Sequence, residues 1–259
     1  MVVIRKNKQL KKNIKQNLKF YQNPEQEAEE RTRDMMAHIT MGFLTVASVL
    51  FCILASINIV FRVPDFYRFE FDRTGILSKL DIGISGTDMG SMFSKFMLHQ
   101  TDNFNVEAEY EGINREIFNQ TEGATMGNFR VLLGVLLIIT VISLIITVAC
   151  IVILHIKSLA RSLRVALNIA LGVYIAAIAG IAVYFNVFNG DIALKNSMTV
   201  GKFAADDLLQ QMFDGRFTLD ATVIVLAISF ILMMIIRYII WKLTAQKGIF
   251  SKGLKGAAK

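Results

Sequence analysis

Four stretches of this chain run long enough without a charged side chain to cross a bilayer, and nothing else in the sequence restricts the fold so tightly. Crossing ~30 Å of hydrocarbon takes ~20 residues of helix. Residues 39–61, bounded by Asp34 and Arg62, carry no charge and are built from Met, Phe, Leu, Val, Ile and small residues. Residues 131–156 lie between Arg130 and Lys157 and hold nothing ionisable except His155 at their far end. Residues 165–190, between Arg164 and Asp191, interrupt their apolar character only with Asn168, Asn186, Asn189 and small side chains. Residues 221–241 are uncharged as far as Ile236; Arg237 near the end can reach headgroups along its aliphatic stem, with Tyr238 and Trp241 suited to the same interface.

A soluble core of a 259-residue chain does not accommodate four such helices, and only helices or closed barrels satisfy their own backbone in hydrocarbon. The expected fold is an all-α membrane protein with four transmembrane helices. Residues 62–130, between the first two spans, are long enough to form a small outer α+β segment with a short helix and a β-hairpin. The remaining divisions are a basic tail and helix at 1–38, a turn at 157–164, a second outer segment at 191–220 and a basic tail at 242–259.

Charge asymmetry orients the spans. Residues 1–38, 157–164 and the tail from Arg237 hold eighteen Lys and Arg against five acids, net +13, whereas 62–130 and 191–220 hold ten against sixteen, net −6. The basic set is expected in the cytoplasm, with both termini, and the protein in the cytoplasmic membrane. The net +7 of the whole chain tracks this topology rather than a recognition helix or zinc spacing, so nucleic acid is not an expected partner. Thirty-eight mostly polar residues precede the first run, which predicts a retained anchor rather than a cleaved signal. Cys52 and Cys150 both fall inside spans, which leaves the outer segments without disulfides.

Between Arg5 and Tyr21 stand seven bases and no acid, with Leu10, Ile14, Leu18 and Tyr21 on one helical face. This is either a helix lying on the inner leaflet or a solvated basic tail, with Lys11, Lys12, Lys15 and Lys19 facing anionic lipid in either case. Asn23, Pro24 and Glu25 predict a helix start, and no breaker follows before Phe61. In the outer segment Tyr67, Phe69 and Phe71 alternate with charged residues near the membrane, and 87–99 reads as a short helix. Phe104, Val106, Ala108 and Tyr110 then alternate with polar residues ahead of Glu111 and Gly112, and 113–118 returns: a β-hairpin. Gly172, Ala176 and Gly180 form a stripe of small residues suited to packing within the bundle or to a dimer face. Phe203, Leu208, Leu209, Met212 and Phe213 predict a partly helical segment covering the bundle from outside.

No Asp, Glu or Lys occupies the middle of a span, which disfavours a proton- or ion-coupled transporter. His38, His99 and His155 are too scattered to predict a metal site, and no cofactor motif occurs.

The order of these features resembles the bacterial integral-membrane family of the lipoprotein intramolecular transacylase, Lit. The residues that carry the resemblance are Phe66-Tyr67-Arg68-Phe69-Glu70, Tyr110-Glu111-Gly112, Glu122-Gly123-Ala124-Thr125-Met126 and Tyr184-Phe185-Asn186-Val187-Phe188-Asn189. The resemblance implies transfer of an acyl chain from a lipoprotein's glyceryl group to the amine of its first cysteine. It also implies acid–base histidines in the last two motifs, where this chain has Thr125 and Asn186. Imidazole exchanges protons near neutral pH and a threonine hydroxyl or asparagine amide does not, and losing such help costs ~100- to 10,000-fold in rate. The expectation is therefore a non-catalytic relative that binds lipid, lipoprotein or a membrane partner at its outer-leaflet face, with Tyr67, Glu122, Thr125 and Asn186 as pocket residues. Two rivals stand beside it: an active acyltransferase using another base, with His99, Glu122 or an outer aspartate as candidates, and an accessory subunit of a transport or secretion complex.

Overall fold

The computed structural model describes the backbone of residues 24–110, 112–187, 207–213 and 215–256. The basic face around Leu10 and Ile14, with Lys11, Lys12, Lys15 and Lys19, lies outside the described residues, as does Phe203. In chain order the elements are α1 (Pro24–Val60), α2 (Pro64–Thr74), α3 (Ile76–Lys79), α4 (Gly86–Met97), β1 (Glu107–Tyr110), β2 (Ile113–Glu116), α5 (Gln120–Ile156), α6 (Ala160–Val187), α7 (Leu208–Met212) and α8 (Gly215–Gly256). Four of these helices, α1, α5, α6 and α8, are long and apolar enough to span a membrane.

The first helix begins at Pro24, where the ring's missing amide costs nothing, and continues to Val60. Its 37 residues extend about 55 Å, so a good part projects beyond the hydrocarbon. The other three long helices all pack against it. Within the spans, hydroxyls are satisfied on their own helix: Ser56 donates to the Cys52 carbonyl at 2.7 Å and Thr147 to the Ser143 carbonyl at 2.8 Å. Between helices, Thr45 donates to the Ala166 carbonyl (3.2 Å), and Tyr174 donates to the Leu226 carbonyl (2.6 Å) beside Ser229 Oγ. These bonds tie α6 to α1 and to α8 at membrane depth.

Several boundaries differ from the apolar runs. The second spanning helix starts at Gln120, eleven residues before the run at 131, because Asn119 caps it and its first turns carry the charges of Glu122 and Arg130 ahead of the uncharged run. Helix resumes at Ala160, so the connection to α6 is only Lys157, Ser158 and Leu159, with Ser158 in the left-handed region. Among the described residues the small-residue stripe packs against no neighbouring helix: a Cβ at Gly172 or Gly180 would meet nothing within 4 Å, and neither these glycines nor Ala176 is buried.

Between α1 and α5 the chain builds a helix–hairpin unit on one end of the bundle, the hairpin end. The aromatic stretch is helical rather than alternating. Pro64 opens α2, Gly75 in the left-handed conformation closes it, and Phe66, Tyr67, Glu70 and Phe71 face inward while Phe69 is exposed. The next helix runs Gly86–Met97, capped by the Ser85 side chain on the Asp88 amide; His99 lies beyond its end. It crosses α2 closely enough that a Cβ on Gly90 would stand 2.7 Å from the Pro64 carbonyl oxygen. The two strands pair antiparallel, Glu107 opposite Glu116 and Tyr110 opposite Ile113, turning at Gly112 (φ 77°). Beneath them a cluster of rings fills the core, with Phe93 edge-on to Phe104 at 5.1 Å and Phe66 tilted against Phe217 at 5.3 Å.

Candidate functional site

The first turn of α5 organises the hairpin end. Asn119 Oδ1 accepts from the Glu122 amide at 2.9 Å and Glu122 Oε2 accepts from the Asn119 amide at 2.8 Å, a reciprocal capping box. The other carboxylate oxygen of Glu122 accepts from the Leu209 amide at 2.7 Å, and Asn119 Nδ2 donates to Asp207 Oδ1 at 2.8 Å. Two residues thus serve both a helix start and a distant segment. They hold α7 as a short strap across α5, with Leu208, Leu209 and Met212 buried against the cluster that contains Met126 and Leu133. Glu122 itself is 1% exposed.

Thr125 lies one turn further along α5 and is buried; its hydroxyl donates to the Thr121 carbonyl at 2.9 Å. Glu122, Thr125 and Met126 are the buried residues of this part of α5, and Met126 belongs to the same cluster as Leu208, Leu209 and Met212 of the strap. Tyr67 belongs to the same apolar cluster, but its hydroxyl is committed to the Phe61 carbonyl at 2.9 Å, and burial pushes its pKa up. His99 is apart from these three: it is exposed, in the left-handed region at φ 58°, in the chain that leaves α4. Asn186 falls on the last turn of α6, and its side chain lies outside the described residues.

A charged latch not singled out in the sequence joins the helix–hairpin unit to α8. Arg73 Nη2 donates to Glu70 Oε2 at 3.0 Å and also pairs with Asp220. Glu70 is buried, Arg73 and Asp220 partly exposed. Beside it Glu70, Phe71, Thr74, Ile76, Met212 and Phe217 line a small crevice of about 10 Å³, room for a single water. The i,i+3 spacing of Glu70 and Arg73 is readable in the sequence; the partnership with Asp220, 147 residues away, is not. Among the described residues no three His, Cys, Asp or Glu side chains gather to hold a metal ion.

Four membrane-length helices carrying a helix–hairpin unit over a strapped helix start define a polytopic membrane protein with a small extramembrane α+β cap. A family model described as lipoprotein intramolecular transacylase Lit matches residues 42–190, and the chain belongs to that family. Solved structures of the membrane-integral Lit of Bacillus cereus share the fold. A histidine-to-arginine variant aligns over 87% of this chain and 99% of its own at a TM-score of 0.64 and 14% identity. A histidine-to-alanine variant covers 85% and 99% at 0.65 and 12% identity. A third structure of that enzyme covers 84% and 99% at 0.60 and 12%. No curated protein matches this sequence.

Proposed function

We propose that this Lit-family protein sits in the cytoplasmic membrane with both termini inside, its hairpin end at the outer leaflet. There it binds the acyl chains of a lipid or lipoprotein, or a membrane partner, without transferring an acyl group through the family's histidine pair. The observation that carries the reading is the state of the polar groups on the turn bearing the family motif. Thr125, where the resemblance places a histidine, spends its hydroxyl on Thr121, and both oxygens of Glu122 already accept backbone amides. A general base must reach the proton it takes. Glu122 is 1% exposed with each oxygen already tied to a backbone amide, and a threonine hydroxyl, unlike an imidazole, does not exchange protons near neutral pH.

The experiment is co-expression with a diacylated lipoprotein and mass spectrometry of its N-terminal peptide. The acyl chain is expected to stay on the glyceryl group; its appearance on the cysteine amine overturns the reading. Orientation is tested separately with protease-sensitive tags at each terminus, both of which should be protected in intact cells.

A further inference from the structure

Two arginines at the hairpin end have donors that nothing among the described residues uses. Arg62 follows the last turn of α1 and Arg130 precedes the apolar run of α5, so each stands at the edge of an uncharged run long enough to cross a membrane. They are neighbours: Phe61 and Phe129 pack edge-on at 5.3 Å, and Arg62 Nη2 reaches across to the Leu133 carbonyl at 3.4 Å, a long bond. The last turn of α4 and the chain that follows it wrap both. Ser94 Oγ donates to the Arg62 carbonyl at 2.6 Å, the Phe96 ring lies 4.3 Å from the Arg130 guanidinium carbon, and the Thr101 carbonyl accepts from Arg130 Nη1 at 3.0 Å.

The Nε atoms of Arg62 and Arg130 are buried, and neither has a hydrogen-bond partner among the described residues. A buried donor without an acceptor costs ~1–3 kcal/mol, more on a charged group, so two on adjacent side chains are not expected without compensation. Asp102 lies 3.6 Å from Arg130 and is fully exposed; among the described residues no ion pair involves Arg62. Desolvation by burial also lowers the pKa of Arg62. Lys95, exposed between Ser94 and Phe96, adds a third positive charge to this corner. It does so on a side of the protein whose segments sum to −6.

We infer that Arg62 and Arg130 form a binding site for the phosphate of a phospholipid headgroup at the hairpin end of α1 and α5. Guanidinium N–H groups bind phosphate oxygens, and the donors open to one here are Arg62 Nη1 and Arg130 Nη2, which have no partner among the described residues and are not closed off as the Nε atoms are. Phosphate here meets two cations at headgroup depth, while the acyl chains run down the α1–α5 seam beside exposed Ile59 and Val131. The site is separate from Thr125: Arg130 is five residues on, about 140° around the helix. It requires a headgroup layer at the hairpin end and is independent of whether acyl transfer is lost.

Native mass spectrometry of the full-length protein in mild detergent tests this, titrated with phosphatidylglycerol, with diacylglycerol bearing the same chains and with inorganic phosphate. One phosphatidylglycerol should be retained at least tenfold more tightly than either other ligand. Arg62→Gln and Arg130→Gln should each weaken it about tenfold, whereas Arg68→Gln, exposed and paired with Asp65, should not. Diacylglycerol binding equally well would mean that acyl chains alone drive retention, and inorganic phosphate binding equally well would mean a soluble anion site; either overturns the inference. So do both glutamine variants binding as the unaltered protein does. If neither variant folds, the three-ligand comparison on the unaltered protein decides by itself.

Discussion

Replacing Glu122 by alanine should release the strap without unfolding the bundle. Its carboxylate accepts two backbone amides, Asn119 at 2.8 Å and Leu209 at 2.7 Å, from a position 1% exposed. Hydrogen bonds to a charged acceptor contribute ~1.5–3 kcal/mol each, and a lost cap costs ~1 kcal/mol. The Asn119 amide can recover part of this through water, because it lies at a helix start. The Leu209 amide, folded under the strap, recovers little. The strap should therefore lose about 3 kcal/mol of anchoring, which is ~100-fold in its opening equilibrium. Amide hydrogen exchange in detergent reads this directly: the Leu209 amide should exchange ~100-fold faster in Glu122→Ala, while amides in the middle of α5 and α1 keep their rates. Glu122→Gln, whose amide oxygen can serve only one of the two donors, should fall between, near tenfold. An unchanged Leu209 rate would refute the pinning argument. A uniform rise along the chain would refute it differently, by showing that the carboxylate supports the whole fold.

Gly90→Ala forces a Cβ to within 2.7 Å of the Pro64 carbonyl, where backbone cannot step aside, and should cost ~1–3 kcal/mol; Gly127→Ala, with nothing within 4 Å, should not lower the melting temperature. Tyr67→Phe keeps the ring but strands the Phe61 carbonyl, so thermal melting should register a loss of about 1 kcal/mol. Cys52 and Cys150 are buried within spans, so a membrane-impermeant maleimide should leave both unlabelled in intact cells and label them only after denaturation. Labelling of either in folded protein would show that the bundle opens to water.

The spans were legible because hydrocarbon is an unforgiving solvent: a run such as 131–156 has few alternatives in any protein. The hairpin was legible for a local reason, the alternation from Phe104 to Tyr110 followed by a glycine that the structure places at φ 77°. Helix α2 was obscured by a coincidence of period. Tyr67, Phe69 and Phe71 alternate, but the inward residues are Phe66, Tyr67, Glu70 and Phe71, and Phe69 lies on the opposite side with its face toward Arg73. Pro64 at its first turn and Gly75 at its end were the signals that outweigh the alternation. The start of α5 was similarly available in Asn119-Gln120-Thr121-Glu122, a capping-box spacing that stands well ahead of the first uncharged residue of the span.

What no local pattern reveals is that the same glutamate reaches across 87 residues of sequence to the strap. A motif position accounts for Glu122 by its neighbours, Gly123 to Met126; the fold accounts for it by Leu209. A carboxylate held by two amides positions a segment, so an acidic residue inside a family motif is not by that fact a catalytic acid or base. The two accounts of Glu122 make opposite forecasts for Glu122→Gln in any assay of the hairpin end. A proton-transfer group loses its function outright when made an amide, whereas a tether loses about half its grip and keeps the rest. Measured side by side, the Gln and Ala variants therefore separate tether from base whatever ligand the hairpin end binds.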